Sequence, residues 1–246
     1  MSGHSKWHNI QAKKGKVDAA RGRIFTKLGR EIAVAAKGNP NPDTNSKLAD
    51  AIAKAKANNM PNDNITRCIK KAAGELGAVN YENLVYEGYG VGGSALIINT
   101  LTDNKNRTVG DVRSTLSKCG GMLGNTGCVS YMFDNKGLLV VEKTLEMDED
   151  TITEYAIEAG ADDIITLDDV FEIYTDPAAF SDVRKFLEDK GVTFLEASIS
   201  MIPQNKITLS EEHVATFLKL LDKLDELDDV SDVYHNVDLP EEDEEE

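Results

Sequence analysis

The apolar positions along this chain change period twice, and those changes divide it. From Val17 to about Lys37, Ile24, Phe25, Leu28 and Ile32 recur at the spacing of one helical face. That spacing predicts a long helix, stopped by GNPNPDTN at 38–45. A second helix is predicted from Ser46 to about Asn58, with Leu48, Ile52 and several alanines inward. After the breaker MPNDN, Asn62 or Asp63 can cap a third helix, whose inner face is Ile65, Cys68, Ile69 and Ala72. Gly74 and Gly77 end it. The three helices predict a small bundle over 1–79.

From Leu84 the period shortens to that of strands. LVYEGYG and SALIINTLT read as two strands joined by a Gly-rich turn. Asp103 or Asn104 opens a helix through Val112 and Leu116 to Lys118; CGGMLGNTG follows as a loop and CVSYMFD as a strand. The next segments are GLLVVEK, DEDTITEYAIEAG, DDIITLD, VFEIYTD, PAAFSDVRKFLEDKG and VTFLEASISM. They alternate as β-α-β-β-α-β, the ferredoxin-like unit. KITLS, EEHVATFLKLLDKLDEL and DVSDVYHNV add one strand, one helix and one strand, which cannot close a core alone. They are expected to return to the sheet begun at residue 84. The predicted class is α+β: an N-terminal helical bundle (1–79), a discontinuous α/β middle domain (80–135 and 205–238), and the ferredoxin-like unit (136–204) inserted into it. Residues 239–246 are expected to form a disordered acidic tail.

Bulk composition narrows the class. The 246 residues are 41% apolar, enough for sizeable cores, and contain no apolar run of membrane-spanning length. The first residues, MSGHSKWHNIQAKKGK, lack the apolar stretch of a secretory signal, so a cytoplasmic protein is expected, with no membrane partner. Cys68, Cys119 and Cys128 are odd in number and form no C-x-x-C, which predicts free thiols and no zinc module.

Charge changes the picture more. Residues 1–80 carry fifteen Lys and Arg against six Asp and Glu, a formal +9. Residues 81–246 carry twelve against thirty-seven, a formal −25. Such asymmetry suits an arm that meets polyanions and a body repelled by them, although the two parts can also attract each other. On the first helix Lys16, Arg23, Lys27, Arg30 and Lys37 fall opposite the apolar face, a stripe matched to a row of phosphates. Across its start, Lys13, Lys14, Lys16, Arg21 and Arg23 form a dense cationic run. Trp7, beside Lys6, admits two readings: a platform for unpaired bases, or an anchor onto the bundle. Lys105 and Arg107 stand at a predicted helix start, where an anion is favoured. Ordinary turn chemistry explains that segment as well.

Other patterns point away from catalysis. Gly88, Gly90 and Gly93 satisfy G-x-G-x-x-G, but they lead into a strand rather than a helix, so a hairpin replaces a dinucleotide site. His4 and His8 have no acidic or thiol neighbour in sequence, and His213 and His235 are scattered, so no metal is expected. No nucleophile or metalloprotease motif occurs. The sequence predicts no enzyme and no cofactor.

The stretches GHSKWHNIQAKKGKVDAARGRIFTKLGREI, MPNDNITRCIKKAAG, YEGYGVGG, LTDNKNRT, GNTGCVSYMF and LLDKLDELDDVSDVYHN together resemble the YebC/PmpR family. The resemblance spans nearly the whole chain. It implies a helical N-terminal domain and two α/β domains, the third inserted in the second. It also implies control of gene expression, described for the family as DNA-binding transcriptional regulation. Relatives include a mitochondrial translational activator of cytochrome oxidase and ribosome-associated translation factors. Where family members often have WANIKHRK, this chain has WHNIQAKK; the basic role carries to Lys6, Lys13, Lys14 and Lys16. Three functions stand at this point: a DNA-binding transcriptional regulator, a ribosome-associated RNA-binding translation factor, and a scaffold whose acidic domains take a basic protein partner.

Overall fold

The computed structural model describes residues 17–74, 80–144 and 148–239, with side chains from Gly22 onward. Among them the chain forms seven α-helices and three antiparallel or parallel strand groups, a mixed α+β fold. Helices α1 (Val17–Ala35), α2 (Ser46–Ala57) and α3 (Asn62–Ala72) pack around Leu28, Ile32, Leu48, Ala55, Met60 and Ile65. Ile32 and Leu48 are fully buried, each contributing about 1.5–3 kcal/mol of transfer free energy. Gly29 lets α1 cross α3 closely, since a Cβ there would lie 3.0 Å from Cys68 Sγ. The predicted cap of α3 is corrected. Pro61 is the N-cap, and its carbonyl takes the Asn64 and Ile65 N–H groups. The proline's fixed φ starts the turn one residue early, leaving Asp63 in the first turn, where its charge favours the helix.

Strands β1 (Glu82–Tyr89) and β2 (Ala95–Thr102) form an antiparallel hairpin, from Glu82 opposite Thr102 to Tyr89 opposite Ala95. Its turn holds Gly92 at φ +67°, a left-handed conformation that side chains disfavour. The G-x-G-x-x-G glycines thus belong to a hairpin. Helix α4 (Lys105–Lys118) follows, capped by Asn104, whose side chain accepts from Arg107 N. Within the predicted loop, β3 (Met122–Leu123) pairs with the end of β1. The strand predicted at 128–134 is also corrected: Ser130–Met132 is a 3-10 turn. The N–H groups of Gly127, Val129 and Ser130 are taken by the Glu87 carboxylate, so they cannot join a ladder.

Strand β4 (Phe133–Glu142), helix α5 (Glu149–Ala159), β5 (Asp163–Thr166), β6 (Val170–Thr175), helix α6 (Phe180–Asp189) and β7 (Glu196–Pro203) follow in order. Their sheet order is β5-β6-β4-β7, with α5 and α6 packed on one face over Leu139, Ile152, Ile173, Phe180, Val183 and Leu187. β7 starts later than the pattern predicts, because Val192 turns inward and its N–H returns to Leu187 O. After β8 (Ile207–Thr208) and helix α7 (Glu211–Asp225), β9 (Val230–His235) pairs antiparallel with β2. The central sheet therefore reads β3-β1-β2-β9. Helices α4 and α7 cover one face of it through Val112, Leu116, Phe217 and Leu220. β8 does not join that sheet. β9 already occupies the free edge of β2, so β8 pairs in parallel with β10 (Val237–Asp238).

Candidate nucleic-acid interface

The cations of α1 meet carboxylates of the same chain. Lys27, 8% exposed, donates from Nζ to Asp225 Oδ1 and to Asp225 O, each at 2.8 Å. Arg30 Nη1 donates to Asp229 Oδ1 at 2.8 Å, Asp228 O at 2.6 Å and Leu101 O at 3.2 Å. Its guanidinium also lies over the Tyr81 ring at 5.5 Å. Lys27 and Arg30, expected in a stripe matched to phosphates, are covered by the acidic end of α7 and the turn after it. Opposite charges here join the helical bundle to the central domain.

Arg107 belongs to the same cluster. Its Nε and Nη2 reach Asp229 Oδ2 at 3.0 and 2.7 Å, and Nη2 reaches Asp103 Oδ1 at 2.8 Å. The hydroxyls of Thr102 and Thr108 donate to Asp229 Oδ2 as well, at 3.1 and 2.9 Å. Burial would push the Asp229 carboxyl up, but hydrogen bonds from Arg107, Thr108 and Arg30 outweigh it and hold it below the usual range. The adjoining cleft, about 430 Å³, is lined by Asp103, Asp111, Glu226, Asp228 and Asp229 against Arg30 and Arg107. An anion entering it would meet more carboxylate than guanidinium, so the cleft suits no phosphate.

Two further charged junctions tie the parts together. Lys54 of α2 lies 3.1 Å from Glu31 Oε1 and 3.7 Å from Asp232 Oδ1, at a junction of α1, α2, β7 and β9. Burial pushes the Glu31 carboxyl up, only partly opposed by Lys54. Burial alone would lower Lys54, but Asp232, Glu31 and Glu196 hold its ammonium well above the usual value. Between α2 and α6, Arg184 Nη2 lies 2.8 Å from Asp50 Oδ1, and Ser181 Oγ donates to Asp50 Oδ2 at 2.7 Å. These partners are far apart in sequence, and no local spacing marks them.

What is left exposed defines a different basic surface. Arg67, Lys70 and Lys71 stand on the side of α3 opposite Ile65, Cys68 and Ile69. All three are exposed, and among the described residues none of them is in an ion pair. Lys56 is exposed nearby in sequence, at the end of α2. Arg23 is half-buried, and Lys105 is exposed at the start of α4. Lys6, Trp7, Lys13, Lys14, Lys16, His4 and His8 lie outside the described residues, as does the side chain of Arg21. The spacing of Ile65, Cys68 and Ile69 carries the signal that Arg67, Lys70 and Lys71 form an outer face; no local spacing signals that Lys27 and Arg30 are spoken for.

Other candidate chemistry resolves into packing. His235 is buried, edge-on to Phe217 with ring centroids 5.1 Å apart, and its Nδ1 accepts from Val237 N at 3.2 Å. The three cysteines are free thiols. Among the described residues no group of His, Cys, Asp and Glu is arranged to hold a metal, and no helix is long and apolar enough to cross a membrane.

Comparison with known proteins agrees with this architecture. Residues 5–75 match the family model described as the TACO1/YebC protein N-terminal domain, and residues 81–237 match TACO1/YebC second and third domain. A probable transcriptional regulatory protein of Clostridium tetani is 58% identical over 243 residues, covering 98% of this chain and 99% of the relative. One from Hathewaya histolytica is 58% identical over 242 residues, covering 98% of each. The crystal structure of a conserved hypothetical protein from Aquifex aeolicus superposes with a TM-score of 0.82 at 44% identity, covering 93% of this chain and 95% of that one. A helical bundle joined by ion pairs to two sheet domains, matched in order along nearly the whole chain, places this protein in the TACO1/YebC family.

Proposed function

We propose that this protein is a non-enzymatic regulator of gene expression that binds nucleic acid through its N-terminal domain. The observation that carries this is the free basic face of α3, Arg67, Lys70 and Lys71, in the same domain as the cationic run from Lys6 to Arg23. The acidic body stands away from the polymer by like-charge repulsion. The relatives' description as probable transcriptional regulatory proteins supports DNA as the target. One feature favours a second reading, an RNA-binding translation factor. The outward cations of α3, Arg67, Lys70 and Lys71, suit phosphates better than base edges, although the same helix carries the amides of Asn62 and Asn64. Backbone contact of that kind suits structured RNA.

The test is fluorescence anisotropy on duplex DNA and on structured RNA of equal length, across about 50–200 mM salt. Wild type should lose affinity steeply with salt, and Arg67/Lys70/Lys71→Gln should flatten the slope by roughly 2–3. Lys27/Arg30→Gln should leave the slope unchanged, because those cations are internally paired. An α3 variant with the wild-type slope would remove the domain from the interface. Sedimentation of lysate through sucrose at low and high salt separates the two targets: salt-sensitive migration with ribosomes supports RNA, and migration at the top supports DNA.

A further inference from the structure

The last turn of α7 and the residues after it carry Asp222, Asp225, Glu226, Asp228 and Asp229 against one cation, Lys223. A helix ends on a row of unpaired carbonyls, and its dipole disfavours carboxylates there. The acids are therefore unfavourable for α7 itself, and the offsetting charge comes from α1. Lys27 Nζ meets Asp225 Oδ1 at 2.8 Å, and Arg30 Nη1 meets Asp229 Oδ1 at 2.8 Å.

These two cations belong to a line. Arg23, Lys27 and Arg30 stand at i, i+4 and i+7 of α1, within about 60° of one another around its axis. The side chains of Lys27 and Arg30 are 9% and 16% exposed, turned against the body. Arg23 is half-buried, and its Nε has no hydrogen-bond partner among the described residues. Each carboxylate presents to its cation what a phosphate would present, an anionic oxygen at hydrogen-bond distance.

What holds the bundle on the body is polar. Its apolar core is built from residues 24–72, and no apolar cluster among the described residues joins these to the sheet domains. The two sheet domains do share one: Ala95, Ile97 and Tyr234 pack with Phe133 and Met201. The bundle is joined instead by Lys27–Asp225, Arg30–Asp229, Lys54–Asp232 and Asp50–Arg184. Contacts of this kind can be exchanged by a polyanion, because a phosphate replaces a carboxylate oxygen for oxygen.

We propose that the acidic end of α7 is an internal competitor for nucleic acid: Asp225 and Asp229 occupy Lys27 and Arg30 and keep these two cations of the α1 line from the polymer. This rests on the nucleic-acid reading above and adds to it a built-in limit on affinity. With the two pairs closed, the polymer is held through the other cations of the N-terminal domain. With the carboxylates neutralised, Lys27 and Arg30 take two more phosphates.

The experiment is fluorescence anisotropy of the full chain on duplex DNA and on structured RNA of equal length, across about 50–200 mM salt. Circular dichroism checks that each variant is folded. In Asp225→Asn/Asp229→Asn, two added phosphates at about 0.7–0.9 each predict a salt slope steeper than wild type by roughly 1.4–1.8. Its gain in affinity should accordingly shrink roughly 7- to 12-fold from the low to the high end of that range. Adding Lys27→Gln/Arg30→Gln to this variant should return the slope to the wild-type value. Asp168→Asn/Asp169→Asn removes the same charge from exposed residues outside the dock and should leave the slope unchanged. Asp225→Asn alone, at a side chain 57% exposed, spares the buried Asp229 and should steepen the slope by roughly 0.7–0.9. Wild-type affinity for neither probe would sink the nucleic-acid reading itself. Wild-type binding with a folded Asp225→Asn variant of unchanged slope would overturn the internal competitor alone. So would an equal gain from Asp168→Asn/Asp169→Asn, which would trace the effect to net charge.

Discussion

Replacing Asp229 by Asn keeps the shape of the side chain and removes the charge on which Arg30, Arg107, Thr102 and Thr108 converge. The Arg30 guanidinium, with only 16% of its side chain exposed, would then face a neutral amide. Breaking a buried ion pair from one side costs about 3–5 kcal/mol, because the surviving charge stays desolvated. Arg107 is 44% exposed, so water recovers part of the loss there, and the low end, about 3 kcal/mol, is expected. For a chain of this size that corresponds to a melting temperature lower by about 6–12 °C. The pH dependence follows from the depressed carboxyl of Asp229. Its contribution is fully present above the unfolded value of about 3.9 and is lost as pH falls through the lower folded value. Calorimetry of both proteins at about pH 7 should show the full gap, and the gap should narrow as the solution is acidified past the ordinary Asp range. Hydrogen exchange should also speed up in α1, which loses its tether to the central domain. A melting change below about 2 °C at neutral pH, or a gap that persists unchanged in acid, would refute the clamp.

Two further substitutions probe the junctions. Lys54→Met leaves Glu31, Asp232 and Glu196 without their common cation, and urea unfolding should show a loss of about 3 kcal/mol at neutral pH. Because burial already raises the Glu31 carboxyl, protonation relieves the repulsion, so that variant should recover stability as the solution is acidified from neutral. Asn45→Ala removes an N-cap that accepts from Leu48 N and donates to Ala35 O and Asn39 O, and it should lower stability by about 1–2 kcal/mol in the same assay.

Much of this architecture is legible locally. The spacing of Ile24, Leu28 and Ile32, and the β-α-β-β-α-β run, report burial on one face, which is a property of neighbouring residues. Where local reading failed, a distant group had intervened. Residues 128–134 have the composition of a strand, but Glu87 takes their N–H groups. KITLS looks like a partner for the central sheet, but β9 had filled the available edge.

The basic stripe of α1 shows the same division. The sequence by itself determined that Lys27 and Arg30 lie opposite the apolar face, since helical geometry places side chains from their numbers alone. It also determined the segregation of charge between residues 1–80 and the body. Only the tertiary structure decided that Asp225, Asp228 and Asp229 come to rest on those cations, while Arg67, Lys70 and Lys71 form a basic face outside any ion pair among the described residues. Charge interactions depend on distance in space rather than along the chain, and Lys27 and Asp225 meet across 198 residues of sequence.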